Sequence, residues 1–139
     1  MSTFTAQIDD FIRKSEALTT GVVREAAQSM IEEAQTSRFK GGKMPIDTGF
    51  LTNSGKAQIG SLPSGADKTQ KDYTNQEWQG GGQLQAVLAQ LQPGDIFYYG
   101  WTAAYARKME IRYMFAQSAA QNWQQHVARA VTELKARIK

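Results

Sequence analysis

Apolar residues recur at helical spacing in two long segments, one at each end of the chain. The first stripe runs from Ile8 to Ala34 and the second from Phe115 to Ile138. Apolar residues three or four positions apart share one face of an α-helix, so both segments are predicted to be long amphipathic helices. We expect the first helix to end at the Lys-Gly-Gly-Lys run of residues 40–43 and Gly21 to lie on its polar side.

The residues between these helices favour β-structure. Residues 56–62 alternate in polarity, and residues 93–101 follow a Pro-Gly turn with a run of aromatic residues. Residues 83–92 alternate and then lose phase, so strand and helix both remain open there. The order helix, strands, helix predicts one α+β domain over residues 1–139, a small antiparallel sheet with the two long helices packed on one face.

A long polar segment, residues 61–83, interrupts this scheme and is predicted to be a flexible loop within the domain. Its large aromatic residues are Tyr73 and Trp78. They can anchor a partner protein, or they can fold back onto the sheet of their own domain. Both alternatives remain open.

The polar face of the last predicted helix consists largely of neutral amides, among them Gln117, Gln121 and Gln124. Such a face can be plain solvent-exposed surface. It can also pack against a neighbouring subunit without burying charge, which would cost much more free energy.

Composition excludes several classes of site. The 139-residue chain is 41% hydrophobic, enough for a real core, and it has no cysteine, which rules out disulfides, thiolate metal sites and cysteine nucleophiles. Its first residues lack the pattern of a signal peptide, and no apolar run approaches membrane-spanning length. A soluble protein is expected.

The net charge of +3 is concentrated near the end of the chain. Residues 111–139 carry five basic side chains and one acidic side chain, a local charge of 5 − 1 = +4. Cations are favoured near the C-terminus of a helix by its macrodipole, which explains the cluster as well as contact with DNA does.

The stretch from Lys43 to Gly60 specifies a turn between helix and sheet. Pro45 favours an extended residue before it, and Asp47 or Thr48 can accept a backbone N–H and begin a turn or short helix. Gly49 permits a positive φ or a close backbone approach. Nothing in the stretch is chemically reactive.

Two sequence motifs, and their order along the chain, resemble those of the neck and tail-completion proteins of long-tailed bacteriophages. Residues 45–54 resemble the pattern Pro-(Val/Ile)-Asp-Thr-Gly-x-Leu-x-x-Ser, and residues 105–110 resemble a Tyr-Ala-x-x-x-Glu element just before the last helix. The matching residues are Asp47, Thr48, Gly49, Leu51, Ser54, Tyr105, Ala106 and Glu110. The order of predicted elements matches over nearly the whole chain. Thr52 and Arg112 stand where members often have a basic residue and a glycine.

The resemblance implies a structural protein without catalytic residues. Such proteins resemble ring-forming subunits, here a homo-oligomer of six-fold or twelve-fold symmetry. The implied partners are portal and adaptor proteins above the ring and tail-terminator or tail-tube proteins below it. DNA would pass through without sequence-specific contact, and no membrane is involved. The implied location is the neck of the virion, and the host cytoplasm during assembly.

A search for reactive groups leads to the same expectation. His126 is expected to be a packed or surface imidazole, Asp95 a turn residue, and Glu110 a helix cap or an ion-pair partner. No cluster has metal-ligand spacing, so no enzyme activity, cofactor or metal is predicted.

The alternative function is a small nucleic-acid-binding accessory protein. The basic C-terminal segment and the aromatic residues of the last predicted strand motivate it, because aromatic side chains can stack on bases. These residues are Phe97, Tyr98, Tyr99 and Trp101.

Overall fold

The computed structural model describes residues 3–64 and 77–137, which form helices around one two-stranded antiparallel sheet. The elements in chain order are α1 (Thr3–Ala34), α2 (Phe50–Asn53), β1 (Gly55–Ile59), α3 (Gly81–Ala89), β2 (Phe97–Trp101), α4 (Ala106–Tyr113), α5 (Phe115–Gln121) and α6 (Trp123–Arg137). The predicted α+β class is confirmed. None of the helices in these ranges has the length and apolar character needed to cross a membrane.

Helix α1 ends at Ala34, before the predicted stop at residues 40–43. Beyond it the backbone pairs with Met44, whose N–H donates to the carbonyl of Thr36 (3.1 Å) and whose carbonyl accepts the N–H of Arg38 (3.0 Å). The buried amide of Gln35 also donates to the carbonyl of Thr52 (3.0 Å) and accepts from the Thr52 hydroxyl (2.8 Å). Residues Arg38–Lys40 then form a single 3₁₀ turn, which Gly41 ends at φ 85°. The glycine run therefore ends this turn and not the long helix.

Strands β1 and β2 pair with Gly55 opposite Trp101 and Ile59 opposite Phe97. The ambiguous residues 83–92 fall mainly in helix α3, and Leu84 and Leu88 are buried one turn apart. The predicted loop of residues 61–83 therefore ends earlier than expected, because its last three residues belong to α3.

The core consists of two clusters of buried apolar side chains. One joins α1, β1 and α3 through Ala27, Ile31, Ala57, Leu84 and Leu88. The other joins the predicted turn to the segment after β2 through Met44, Phe50, Leu51, Ala103 and Phe115. The two clusters are linked by β2, where Trp101 packs edge-on against both Tyr99 (5.1 Å between ring centroids) and Phe115 (4.9 Å).

The last apolar stripe forms two helices, α5 and α6, which are separated at Asn122. Phe115 of α5 packs against the sheet, whereas α6 packs along α1. Gly21 faces α6, since a Cβ added there would lie 3.4 Å from Cδ1 of Leu134. The prediction that Gly21 lies on the polar side is therefore wrong.

Candidate functional site

The Asp-Thr-Gly turn adopts the backbone that its sequence predicts. Gly49 lies in the left-handed region (φ 85°, ψ 0°) and precedes the first residue of α2. The Thr48 hydroxyl accepts the backbone N–H of Phe50 at 3.3 Å. An L-residue with a side chain is strained at such a φ, so the confirmed positive φ explains why glycine stands here.

Helix α2 is short but well anchored. Phe50, Leu51 and Thr52 are all buried. The Ser54 hydroxyl donates to the carbonyl of Leu51 (2.7 Å), and the Ser54 carbonyl accepts the backbone N–H of Thr102 (3.2 Å). Ser54 therefore ties the end of this helix to the end of β2.

The second motif packs directly on the first. The ring of Tyr105 lies 6.1 Å from that of Phe50 at an angle of 41°. Ala106, the first residue of α4, donates its backbone N–H to the carbonyl of Ala103 at 2.9 Å. Residues about fifty positions apart in sequence thus form one packed unit.

Glu110 caps the next helix. Its two carboxylate oxygens accept the backbone N–H groups of Ala116 (2.9 Å) and Gln117 (2.8 Å) in the first turn of α5. Between α4 and α5, Met114 has a left-handed backbone with φ 56°. A carboxylate at the N-terminus of a helix satisfies backbone donors that have no partner within the helix. Glu110 was predicted to be a helix cap or an ion-pair partner, and the structure shows the cap.

A surface pocket of about 210 Å³ lies between the two motifs. Its lining comprises Pro45, Asp47, Thr48, Gly49, Phe50, Leu51, Tyr105 and Met109. Burial raises the pKa of the Tyr105 hydroxyl above its ordinary value, the Asp47 carboxylate raises this pKa further, and interaction with the Leu51 backbone opposes both. Asp47 is exposed and forms no hydrogen bond or ion pair with any residue in the described ranges. We call this concavity the Asp47 pocket.

His126 is buried (6% exposed), and its Nε2 lies 2.9 Å from a carboxylate oxygen of Glu33 on α1. The same carboxylate accepts the side-chain amide of Asn122 at 3.0 Å. Glu33 thus holds the junction of α5 and α6 against α1. The role of Glu33 was not predicted. An acidic residue within an apolar stripe signals a buried polar contact, but it does not identify the partner. Within the described ranges, no group of three His, Asp or Glu side chains could hold a metal ion.

The residues predicted to contact a partner or a neighbouring subunit differ in their environments. Trp78 packs against the protein's own first core cluster, which is the fold-back alternative, and it is not a free anchor. Tyr73 lies outside the described residues. Gln117, Gln121 and Gln124 are exposed, as a solvent or subunit face requires.

Three of the four aromatic residues that motivated nucleic-acid binding pack within the fold. Phe97 and Tyr99 pack against the first core cluster, and Trp101 packs against the second. Arg137, in the basic C-terminal segment, pairs with Glu25 of α1. Asp95, in contrast, has its predicted turn role, because its carboxylate accepts the backbone N–H of Gln92 at 2.8 Å.

Comparison of the chain with protein-family models, with curated proteins and with solved structures finds no match.

Proposed function

We propose that this protein is a structural ring subunit of the neck of a long-tailed bacteriophage, where it joins the portal region of the head to the tail. The observation that carries the proposal is the packing of the two motifs into one unit. Tyr105 packs on Phe50, and Glu110 caps the helix that supplies Phe115 to the same core cluster. A resemblance in two distant stretches has more weight when both stretches build one structural feature.

The roles of the motif residues support a structural function. Gly49 and Thr48 order a turn, Ser54 links two elements, and Glu110 caps a helix. These are roles in geometry and packing. A subunit of a neck ring would rely on such contacts, because the ring must hold its shape while DNA passes through it without sequence-specific contact.

The purified protein gives a first test. We expect sedimentation velocity to detect a closed oligomer at high protein concentration and negative-stain electron microscopy to reveal rings with an opening that admits duplex DNA. A gel shift with duplex DNA should be absent or weak. A monomeric protein that binds DNA with a steep salt dependence would instead support the accessory-protein alternative.

The exposed amide face provides a matched pair of variants for this assay. Gln121→Glu places a charge on the proposed subunit face, whereas Gln85→Glu places the same charge on the exposed side of α3. Burying an unpaired charge is costly, so Gln121→Glu should reduce the ring fraction and Gln85→Glu should not. Equal ring fractions for both variants would move the subunit contact away from this face.

A further inference from the structure

The Asp47 pocket has the chemistry to receive a cationic side chain. Its walls are formed by Phe50, Leu51, Met109 and the ring of Tyr105, and the exposed Asp47 carboxylate is part of its lining. The methylene stem of a lysine or arginine can lie along apolar walls while its charged head reaches a carboxylate. The face of an aromatic ring attracts the same cation.

A second surface offers the complementary charge. A groove of about 260 Å³ between α1 and α6 is lined by Leu18, Val22, Val131, Leu134 and Lys135. We call it the Lys135 groove. Leu18 is 48% exposed, and Lys135 forms no ion pair with any residue in the described ranges. Both surfaces are thus mainly apolar, and each carries one free charge, of opposite sign.

These two surfaces lie far apart within one copy of the protein. Helix α6 runs antiparallel to α1, since His126 contacts Glu33 and Arg137 contacts Glu25. The Lys135 groove therefore lies beside Val22, which precedes the end of α1 at Ala34 by 34 − 22 = 12 residues, or about 18 Å of helix. The Asp47 pocket lies beyond that end, against α2 and α4.

We infer that Lys135 of one copy enters the Asp47 pocket of a second copy and that this contact joins the subunits head to tail. The charges are complementary, and the apolar surfaces around them would be buried together. A contact between two different surfaces of the same chain is heterologous, and it generates a ring if the rotation closes or a filament if it does not. The inference deepens the proposed function and rests on it for the closure of the ring.

Cross-linking tests the contact directly, because the chain contains no cysteine. Asp47→Cys and Lys135→Cys proteins are prepared separately, mixed, and treated with a short bifunctional thiol reagent. We expect at least about five times more cross-linked dimer than in two control mixtures, Asp9→Cys with Lys135→Cys and Asp47→Cys with Lys56→Cys. Equal yields in all three mixtures would overturn the inference.

Charge reversal provides a second measurement. Asp47→Lys and Lys135→Asp should each weaken self-association in sedimentation velocity roughly tenfold, since each brings like charges together. The double variant restores an opposite pair and should recover most of the association. Neither side chain makes a described hydrogen bond or ion pair, so the variants should fold, which thermal unfolding checks. A double variant that associates no better than the single variants would overturn the pairing.

The failure of this contact and the failure of the proposed function have different signatures. Rings that form without the cross-link from position 47 to position 135 would overturn the contact and leave the neck function standing. A cross-linked oligomer that is absent from the junction of head and tail would overturn the function and leave the contact standing.

Discussion

The Asp-Thr-Gly turn depends on the backbone conformation of Gly49. Its φ of 85° lies in a region that costs an L-residue roughly 1–2 kcal/mol. We therefore expect Gly49→Ala to lower the free energy of unfolding by about that amount in urea denaturation. Gly82→Ala is the matched control, since a Cβ there meets no atom within 4 Å and alanine favours the helix. Equal urea midpoints for the two variants would contradict a strained turn.

Tyr99 should make the fold sensitive to alkaline pH. Burial raises the pKa of its hydroxyl to about 12, with a hydrogen bond from Gln35 (2.9 Å) acting in the opposite direction. The native state therefore holds this proton more tightly than the unfolded chain does. Its contribution is fully present below pH 10 and is lost as the pH rises from 10 to about 12.

Comparison with Tyr99→Phe isolates this effect from other titrating groups. Two pKa units correspond to roughly 2–3 kcal/mol, so between pH 9 and pH 12 the unchanged protein should lose about 2 kcal/mol more stability than the variant. The variant should start less stable at pH 7, because it lacks the bond to Gln35. Parallel stability curves for the two proteins across this range would contradict the prediction.

At the residue scale, the sequence predicted the roles that depend on neighbours in the chain. The positive φ of Gly49, the hydroxyl contact of Thr48 and the cap made by Glu110 all act within seven residues. Gly21 and Glu33 could not be placed in this way, because each meets a partner about ninety or more residues away. Such contacts depend on how α1 and α6 are paired, which no local pattern contains.

At the scale of elements, the contact of Glu33 with the α5–α6 junction should be important for stability. Its carboxylate serves both His126 and Asn122, and Nδ1 of His126 is buried with no hydrogen-bond partner in the described ranges. Removing the carboxylate would leave a second buried imidazole nitrogen unsatisfied. Unsatisfied buried polar atoms cost about 1–3 kcal/mol.

We therefore expect Glu33→Ala to destabilise the protein by about 1–3 kcal/mol in chemical denaturation. Glu32→Ala is the control, because the neighbouring side chain is exposed and, among the described residues, its carboxylate accepts a hydrogen bond from Gln28 alone. Its effect should stay within about 0.5 kcal/mol, as is usual at the surface. If Glu32→Ala destabilised the protein as much as Glu33→Ala, the contact of Glu33 with His126 and Asn122 would not be the cause of the loss.

The predicted elements differ in how well they could be read from the sequence. Helix α1 and strands β1 and β2 have consistent patterns, and the structure confirms them. The polarity of residues 83–92 alternates in part, which suggested a strand. Most of these residues nevertheless form a helix, in which Leu84 and Leu88 are buried one turn apart. The break at Asn122 was not predicted, because the apolar stripe continues through it.

At the scale of the whole molecule, the proposed function requires many copies to assemble into a ring between head and tail. The described body presents surfaces suited to this, namely the exposed amides of α5 and α6, the Asp47 pocket and the Lys135 groove. The amide face was already evident from sequence, whereas the Asp47 pocket and the Lys135 groove each combine residues from distant segments. A ring would give these surfaces a single explanation.

Electron microscopy of labelled particles can locate the protein in the virion. Particles produced from a genome that encodes this chain are incubated with gold-labelled antibody against the purified protein, with particles of an unrelated tailed phage as control. We expect gold at the junction of head and tail on most particles. Intact particles that carry no label at that junction, while the protein is recovered from the infected cell extract, would contradict the proposed function.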